Sequence, residues 1–187
     1  MPETDIKTVR RLLRGRRTVH EFAPATPPWR QVRAALDSAR FAPNHHFTQP
    51  WRFYRLGPRS RQAIIELNAR LVTEKKGPQA GASKRARWGE IPGWLLITCQ
   101  RSDKPLCARE DYAATCCAIQ NLMLDLWAQG IGSKWTTGEV TRHAEFFAAL
   151  DIDPAQEDVV ALLWYGYPQT VPRPRRSPLS SRLKLLP

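Results

Sequence analysis

Apolar residues recur at helical spacing from the start of the chain. Ile6, Val9, Leu12 and Leu13 predict a first helix over about Asp5 to Arg14, with Gly15 behind it as a C-terminal cap. That helix delivers Arg16, Arg17 and Thr18 just past its end. Thr26-Pro27-Pro28-Trp29 opens a second helix with Val32, Leu36 and Ala39 on one face, its prolines at the first positions, where a missing N–H does no harm. It stops before Ala42-Pro43. Two prolines bound the loop from Ala42 to Pro50, which holds Asn44, His45, His46, Thr48 and Gln49. Trp51 to Gly57 reads as an aromatic-rich strand and Pro58 to about Glu74 as a helix. Residues 75–90 lose this order and predict a mobile basic loop or short lid.

Gly93 to Gln100 carries a continuous apolar stretch suited to a buried strand. Asp111 caps a long helix to Gln129, closed by Gly130, in which Asp125 is the only other charge. Tyr112, Ala113, Cys116, Ile119, Leu122, Met123, Leu126 and Trp127 cover more than one of its faces. A chain of this size can hardly bury such a helix alone, which favours a homodimer. Ile131 to Thr137 is a short strand or extended turn, Thr141 caps a helix to Leu150, and Asp158 to Tyr165 is a further strand. Beyond Gly166-Tyr167-Pro168 the chain turns Pro/Arg-rich and cannot form a core of its own. The expected organisation is one domain over residues 1–187, with 168–187 as an extension docking on a partner subunit.

Composition narrows the classes. The 187 residues are 42% hydrophobic and 25% charged, the balance of a folded globular domain. No apolar run approaches the ~18 residues of a membrane span, and the first 17 residues lack the apolar core of a secretory signal, so a soluble cytoplasmic protein is expected. The net charge of +12 is concentrated: residues 1–20 carry +4, residues 55–88 carry +7 and residues 171–187 carry +5, leaving the rest acidic. Such blocks suit nucleic acid, a membrane surface, a phosphate-bearing ligand or simply a solvated face. Cys99, Cys107, Cys116 and Cys117 form no C-x-x-C pair, and His20, His45, His46 and His143 complete no zinc spacing, so no metal site is expected. The G-x-G-x-x-G, P-loop and G-x-S-x-G signatures are all absent. Polar segments that end ordered elements remain: Arg16-Arg17-Thr18, Asn44-His45 with Gln49, Trp135-Thr136-Thr137-Gly138, and the Arg-rich tail. Arginines with a hydroxyl match a phosphate through charge-assisted hydrogen bonds, while amides and aromatics suit a planar heteroaromatic ring.

In order, Arg16-Arg17-Thr18-Val19-His20-Glu21-Phe22, then Ala42-Pro43-Asn44-His45-His46-Phe47-Thr48-Gln49-Pro50-Trp51-Arg52-Phe53, then the apolar helix leading to Gly130-Ile131-Gly132-Ser133-Lys134-Trp135, and Gly166-Tyr167-Pro168 before a basic tail, resemble the FMN-dependent nitroreductase family, most of all its short bacterial NAD(P)H nitroreductases. The resemblance runs over nearly the whole chain. It implies an α+β, three-layer fold with a central, mainly antiparallel sheet flanked by helices, and an intertwined homodimer with an FMN at each of two subunit-interface sites. Arg16, Arg17 and Thr18 fall where the family holds the flavin phosphate and ribityl chain, with Thr18 in place of the commoner serine. His45 and Gln49 fall where short members contact the flavin from the other chain, and Trp135, Thr136 and Thr137 match the stretch beside it. Arg175 or Arg176 takes the place of a second phosphate-binding basic residue. His20 lies where some relatives put a lysine near the pyrimidine edge.

The activity implied is an NAD(P)H oxidoreductase. A hydride passes to flavin N5, the nicotinamide leaves, and a nitroaromatic, quinone or similar acceptor replaces it in ping-pong turnover, with no side chain acting as nucleophile. Two other classes stand beside it: a flavin-binding or redox-sensing protein with little turnover, and a nucleic-acid-binding module, for which no helix-turn-helix, RRM or zinc pattern is present.

Overall fold

The computed structural model describes residues 5–186. Its helices are α1 (Ile6–Gly15), α2 (Trp29–Ala39), α3 (Pro58–Lys76), α4 (Pro78–Gly89), α5 (Pro105–Ala128) and α6 (Ala144–Leu150), and its strands are β1 (Trp51–Arg55), β2 (Gly93–Gln100), β3 (Gly132–Thr136) and β4 (Glu157–Gly166). The strands form one antiparallel sheet in the order β1-β2-β4-β3. Helices cover both of its faces, the α+β three-layer arrangement expected.

β2 and β4 are buried almost throughout because each face meets its own core. Leu95, Ile97, Ala161, Leu163 and Tyr165 pack with α2 and α5. The alternate residues Trp94, Leu96, Leu162 and Trp164 pack with α3, α4 and α6. In this second core Trp88 meets Trp94 and Trp164 edge-on and those two tilt against each other, the ring centroids 5.0–5.6 Å apart.

Three local expectations need correction. Residues 75–90 are not a loop. Gly77 breaks α3 at φ 88°, Pro78 starts α4 in the first position, and the basic run continues as helix. Gly81 lets α4 lie against α3, since a Cβ there would sit 1.9 Å from Thr73 Oγ1 and 2.7 Å from the Ala69 carbonyl oxygen. Trp88, buried at the far end of α4, anchors it. The long helix begins at Pro105, so Asp111 lies inside α5 and caps nothing. The cap of α6 is His143, whose Nδ1 accepts from the Glu145 N–H at 3.4 Å, while Thr141 belongs to the preceding 3-10 turn.

Among the described residues no helix is long and apolar enough to cross a membrane. Residues 171–186 run almost wholly exposed, with one 3-10 turn at Leu179–Ser181.

Candidate functional site

α1 ends with Arg16, whose N–H bonds the Leu12 carbonyl at 3.1 Å. From there the backbone extends along the edge of the sheet: Thr18 bridges Ser133, the Val19 N–H donates to the Ser133 carbonyl at 3.0 Å, and the Ala23 N–H to the Tyr167 carbonyl at 2.8 Å. Gly132 permits this approach, because a Cβ there would stand 2.5 Å from Val19 Cγ2 and 2.9 Å from Pro168 Cγ. The segment Arg16 to His20 is thereby fixed beside β3.

The half-buried Arg16 guanidinium has its pKa pushed down, first by burial and then by the like charges of Arg176 and Arg17. Arg176 is therefore the tail arginine whose charge acts at this point. Among the described residues neither Arg16, Arg17 nor Arg176 forms an ion pair with a carboxylate. Arg17 spends one Nη on the helix end, donating to the Arg14 and Arg16 carbonyls at 2.5 and 2.8 Å. The Ser133 hydroxyl, buried beside Thr18, has no partner. Like charges with no counter-ion and an orphaned hydroxyl make a cradle that fits a phosphate.

A second basic group lies on the other side of β3. Lys134 and Thr136 face α3 and α4, whereas Trp135 points the opposite way, its Nε1 donating to the Val160 carbonyl at 2.9 Å and its ring packed on the α5-side core. Of the expected stretch, the Trp135 indole is thus committed to the core, and Thr136 and the exposed Thr137 remain available. Lys134 has its pKa lowered by burial and by Arg87 and Lys84, and His20 by burial, Lys134 and Arg87. Lys134, Arg87 and Lys84 are not among the residues the sequence singles out: 78–89 reads there as a loop, and only its helical form, α4, sets Lys84 and Arg87 opposite Lys134. The signal was the strict alternation Lys134-Trp135-Thr136, which puts the lysine and the threonine on one face. Several other members of the basic block have partners of their own: Arg70 pairs with Glu145 and Glu74, Arg85 with Glu66, Lys75 with Glu139, and Arg61 donates to the Ile91 and Pro92 carbonyls.

The loop between Ala42 and Pro50 holds His46, Phe47 and Gln49 at φ 56°, 51° and 44°, the left-handed region that side-chain-bearing residues rarely adopt. A chain of hydrogen bonds maintains it. Asn44 Nδ2 donates to the Thr48 hydroxyl at 3.0 Å, the hydroxyl donates to the buried Asp111 carboxylate at 2.5 Å, and the Gln49 N–H donates to Asn44 Oδ1 at 2.6 Å. His45 Nδ1 bonds Glu110 at 2.9 Å and its ring stacks on His46. His45 and Gln49 are exposed at the N-terminal end of α5. Gly15, one residue before the arginine cradle, lies against Trp127 at the other end of that helix. Glu110 and Trp127 are 17 positions apart on α5, about 25 Å at the helical rise. One chain therefore brings Arg16, Arg17, Thr18, His20 and Arg176 near one stretch of β3, but not His45 or Gln49.

Among the described residues no cluster of His, Cys, Asp or Glu could hold a metal ion.

The Nitroreductase family model matches residues 13–167. A Bacillus subtilis (strain 168) protein with the provisional name NAD(P)H nitroreductase YfhC is 29% identical over 191 residues, covering 97% of this chain and 98% of its own. The crystal structure of a nitroreductase-like family protein from Bacillus cereus superposes with a TM-score of 0.86 at 24% identity, covering 98% of each chain. That of the FMN-dependent nitroreductase NfnB from Mycobacterium smegmatis in complex with NADPH gives 0.78 at 18% identity, covering 97% of this chain and 99% of that one.

Proposed function

The chain belongs to the nitroreductase family, and on that footing we propose that it is an FMN-dependent oxidoreductase that draws reducing equivalents from NAD(P)H and delivers them to a small organic acceptor such as a nitroaromatic or quinone, working as a homodimer. The observation that carries this reading is the carboxylate-free gathering of Arg16, Arg17 and Arg176 beside Thr18 and the orphaned Ser133 hydroxyl. The FMN dependence and NADPH complex described for the Mycobacterium smegmatis relative support the choice of cofactor and donor.

Arg16 and Arg176 supply positive charge for the cofactor phosphate, with the hydroxyls of Thr18, two residues beyond Arg16, and of its bridge partner Ser133 as further donors. His20 stands farther along the same segment, its pKa lowered by burial and by Lys134 and Arg87, so its imidazole is held toward the neutral form and offers a hydrogen bond rather than a charge. When bound, FMN supplies the hydride relay between donor and acceptor. The residues around it bind, orient and exclude water, and none has to act as a nucleophile. One site serving both substrates in turn gives ping-pong kinetics.

The homodimer is supported by the 25 Å separation within one chain, since two α5 helices packed antiparallel about a two-fold axis bring the loop 44–49 of one copy beside the arginine cradle of the other. An outward stripe on α5 points the same way: Leu106 and Tyr112 are 67% and 50% exposed, and Ala113 and Cys117 are exposed as well. The nucleic-acid reading is not favoured, because much of the 55–88 block is taken up by ion pairs, by the Arg61 bonds to backbone carbonyls and by the cavity rather than forming one open stripe.

The test is the absorbance spectrum of the purified protein and its flavin-to-chain ratio, followed by NADPH oxidation with a quinone. Bound flavin near one per chain and acceptor-dependent oxidation are expected. Protein that carries no flavin, and takes none up from added FMN, refutes the reading.

A further inference from the structure

Between α3, α4 and β3 lies a cavity of about 300 Å3. Five cations line it, Lys75, Lys76, Lys84, Arg87 and Lys134, against one carboxylate, Glu139, which is already bonded to Lys75 at 2.5 Å. Two further lining residues carry buried N–H donors with no partner, Asn68 at Nδ2 and the almost wholly buried Trp164 at Nε1. Buried donors without acceptors are rare in native proteins, and two of them in the lining of one cation-rich cavity call for an acceptor from outside. Lys134 is half-buried with its Nζ 5.0 Å from the Trp164 ring centroid, and the charges acting on it are Arg87 and Lys84. The charges acting on Arg16 are Arg176 and Arg17. Lys134 lines the cavity on the α3–α4 face of β3, whereas Arg16 stands at the end of α1, and the phosphate cradle does not account for the lysine cluster.

We propose that this cavity binds the oxyanion of an anionic electron acceptor, a carboxylate in the first instance, and so selects aryl carboxylates over their neutral counterparts. The proposal rests on the reductase reading above and deepens it. Thr136, which lines the cavity, belongs to the stretch assigned to the cofactor, so an acceptor anchored here by its carboxylate lies beside the same site. A cleft with five cations to one carboxylate, on apolar walls of Trp88, Trp164 and Leu71, focuses its field on such a group. An acceptor without the charge leaves Lys84, Arg87 and Lys134 without a counter-ion, so it is disfavoured by what remains unsatisfied rather than by shape.

The experiment uses the FMN-loaded protein with saturating NADPH and compares 4-nitrobenzoate with its methyl ester, in wild type, Lys134→Met and Arg87→Gln. In wild type the carboxylate is favoured in kcat/KM by about tenfold, and each variant loses most of that advantage through KM while the ester changes by less than about twofold. Calorimetric titration of benzoate into the same proteins reads the site without turnover: wild type binds and both variants lose binding. Equal wild-type preference for acid and ester, or a parallel loss for both acceptors, overturns the proposal. A loss confined to NADPH relative to NADH, with benzoate binding unchanged, assigns the cavity to the donor's 2′-phosphate and overturns it too. Benzoate binding that depends on Lys134 in protein that takes up no flavin upholds the anion site and refutes the reductase reading.

Discussion

Arg16 meets two like charges, Arg176 and Arg17, at low exposure, and its guanidinium has no carboxylate to offset them. Replacing it by alanine relieves repulsion in the flavin-free protein but removes a charge-assisted hydrogen bond to a bound phosphate, about 1.5–3 kcal/mol. Arg16→Ala is therefore expected to weaken FMN binding by about ten- to a hundredfold, by quenching of flavin fluorescence, with little change in the melting temperature of the flavin-free protein. Unchanged affinity would remove the phosphate assignment. His20 is governed by the same physics. Burial, then Lys134 and Arg87, hold its pKa below the ordinary imidazole value of 6.5. As pH falls through 6.5 the unfolded chain takes up this proton before the folded one does, so the folded state loses stability on that side and keeps it above. The expected result is a melting temperature that drops between pH 7.5 and 5.5, and drops less in His20→Asn.

At the scale of elements, α4 depends on one glycine. The Cβ of Gly81→Ala would collide with Thr73 Oγ1 and with the Ala69 backbone, which cannot rotate away, so α4 must lift from α3. Overpacking of this kind costs about 1–3 kcal/mol, and the variant should melt several degrees lower and lose benzoate binding, both measurable on the same sample. The loop 44–49 depends in the same way on α5. Asp111→Ala releases the Thr48 hydroxyl and lets His46, Phe47 and Gln49 leave the left-handed region, so FMN affinity should fall by about tenfold while Asp111→Asn retains most of it. These two elements also mark how far the sequence could be read. α1, β2 and β4 were legible because apolar spacing or a continuous apolar run reports burial directly. The arginine cradle and the loop were legible as residue types in order, though not as partners. α4 was illegible because its evidence is a contact: Gly81 reads as a helix breaker until α3 is there to be packed against. The Asp111–Thr48 bond spans 63 residues, and an aspartate near a helix start looks like a cap.

The whole molecule is where the site has to be completed. Arg16 and His45 lie at opposite ends of α5, and the outward stripe of that helix carries exposed apolar residues, as do Leu179, Leu183, Leu185 and Leu186 of the tail, between 56% and 88% exposed. Two antiparallel α5 helices would cross near their midpoint, and the exposed residue there is Cys117. Cys117→Arg would set two guanidinium groups against each other across the two-fold axis while touching nothing in its own core. The variant is expected to sediment as a monomer at micromolar concentration with unchanged helix content by circular dichroism, and to lose FMN in the same step, because the second copy's His45 and Gln49 leave with it. The coupling decides the matter. A monomer that binds FMN as tightly as wild type would mean that one chain completes the site alone, and a variant that stays dimeric would move the interface away from α5.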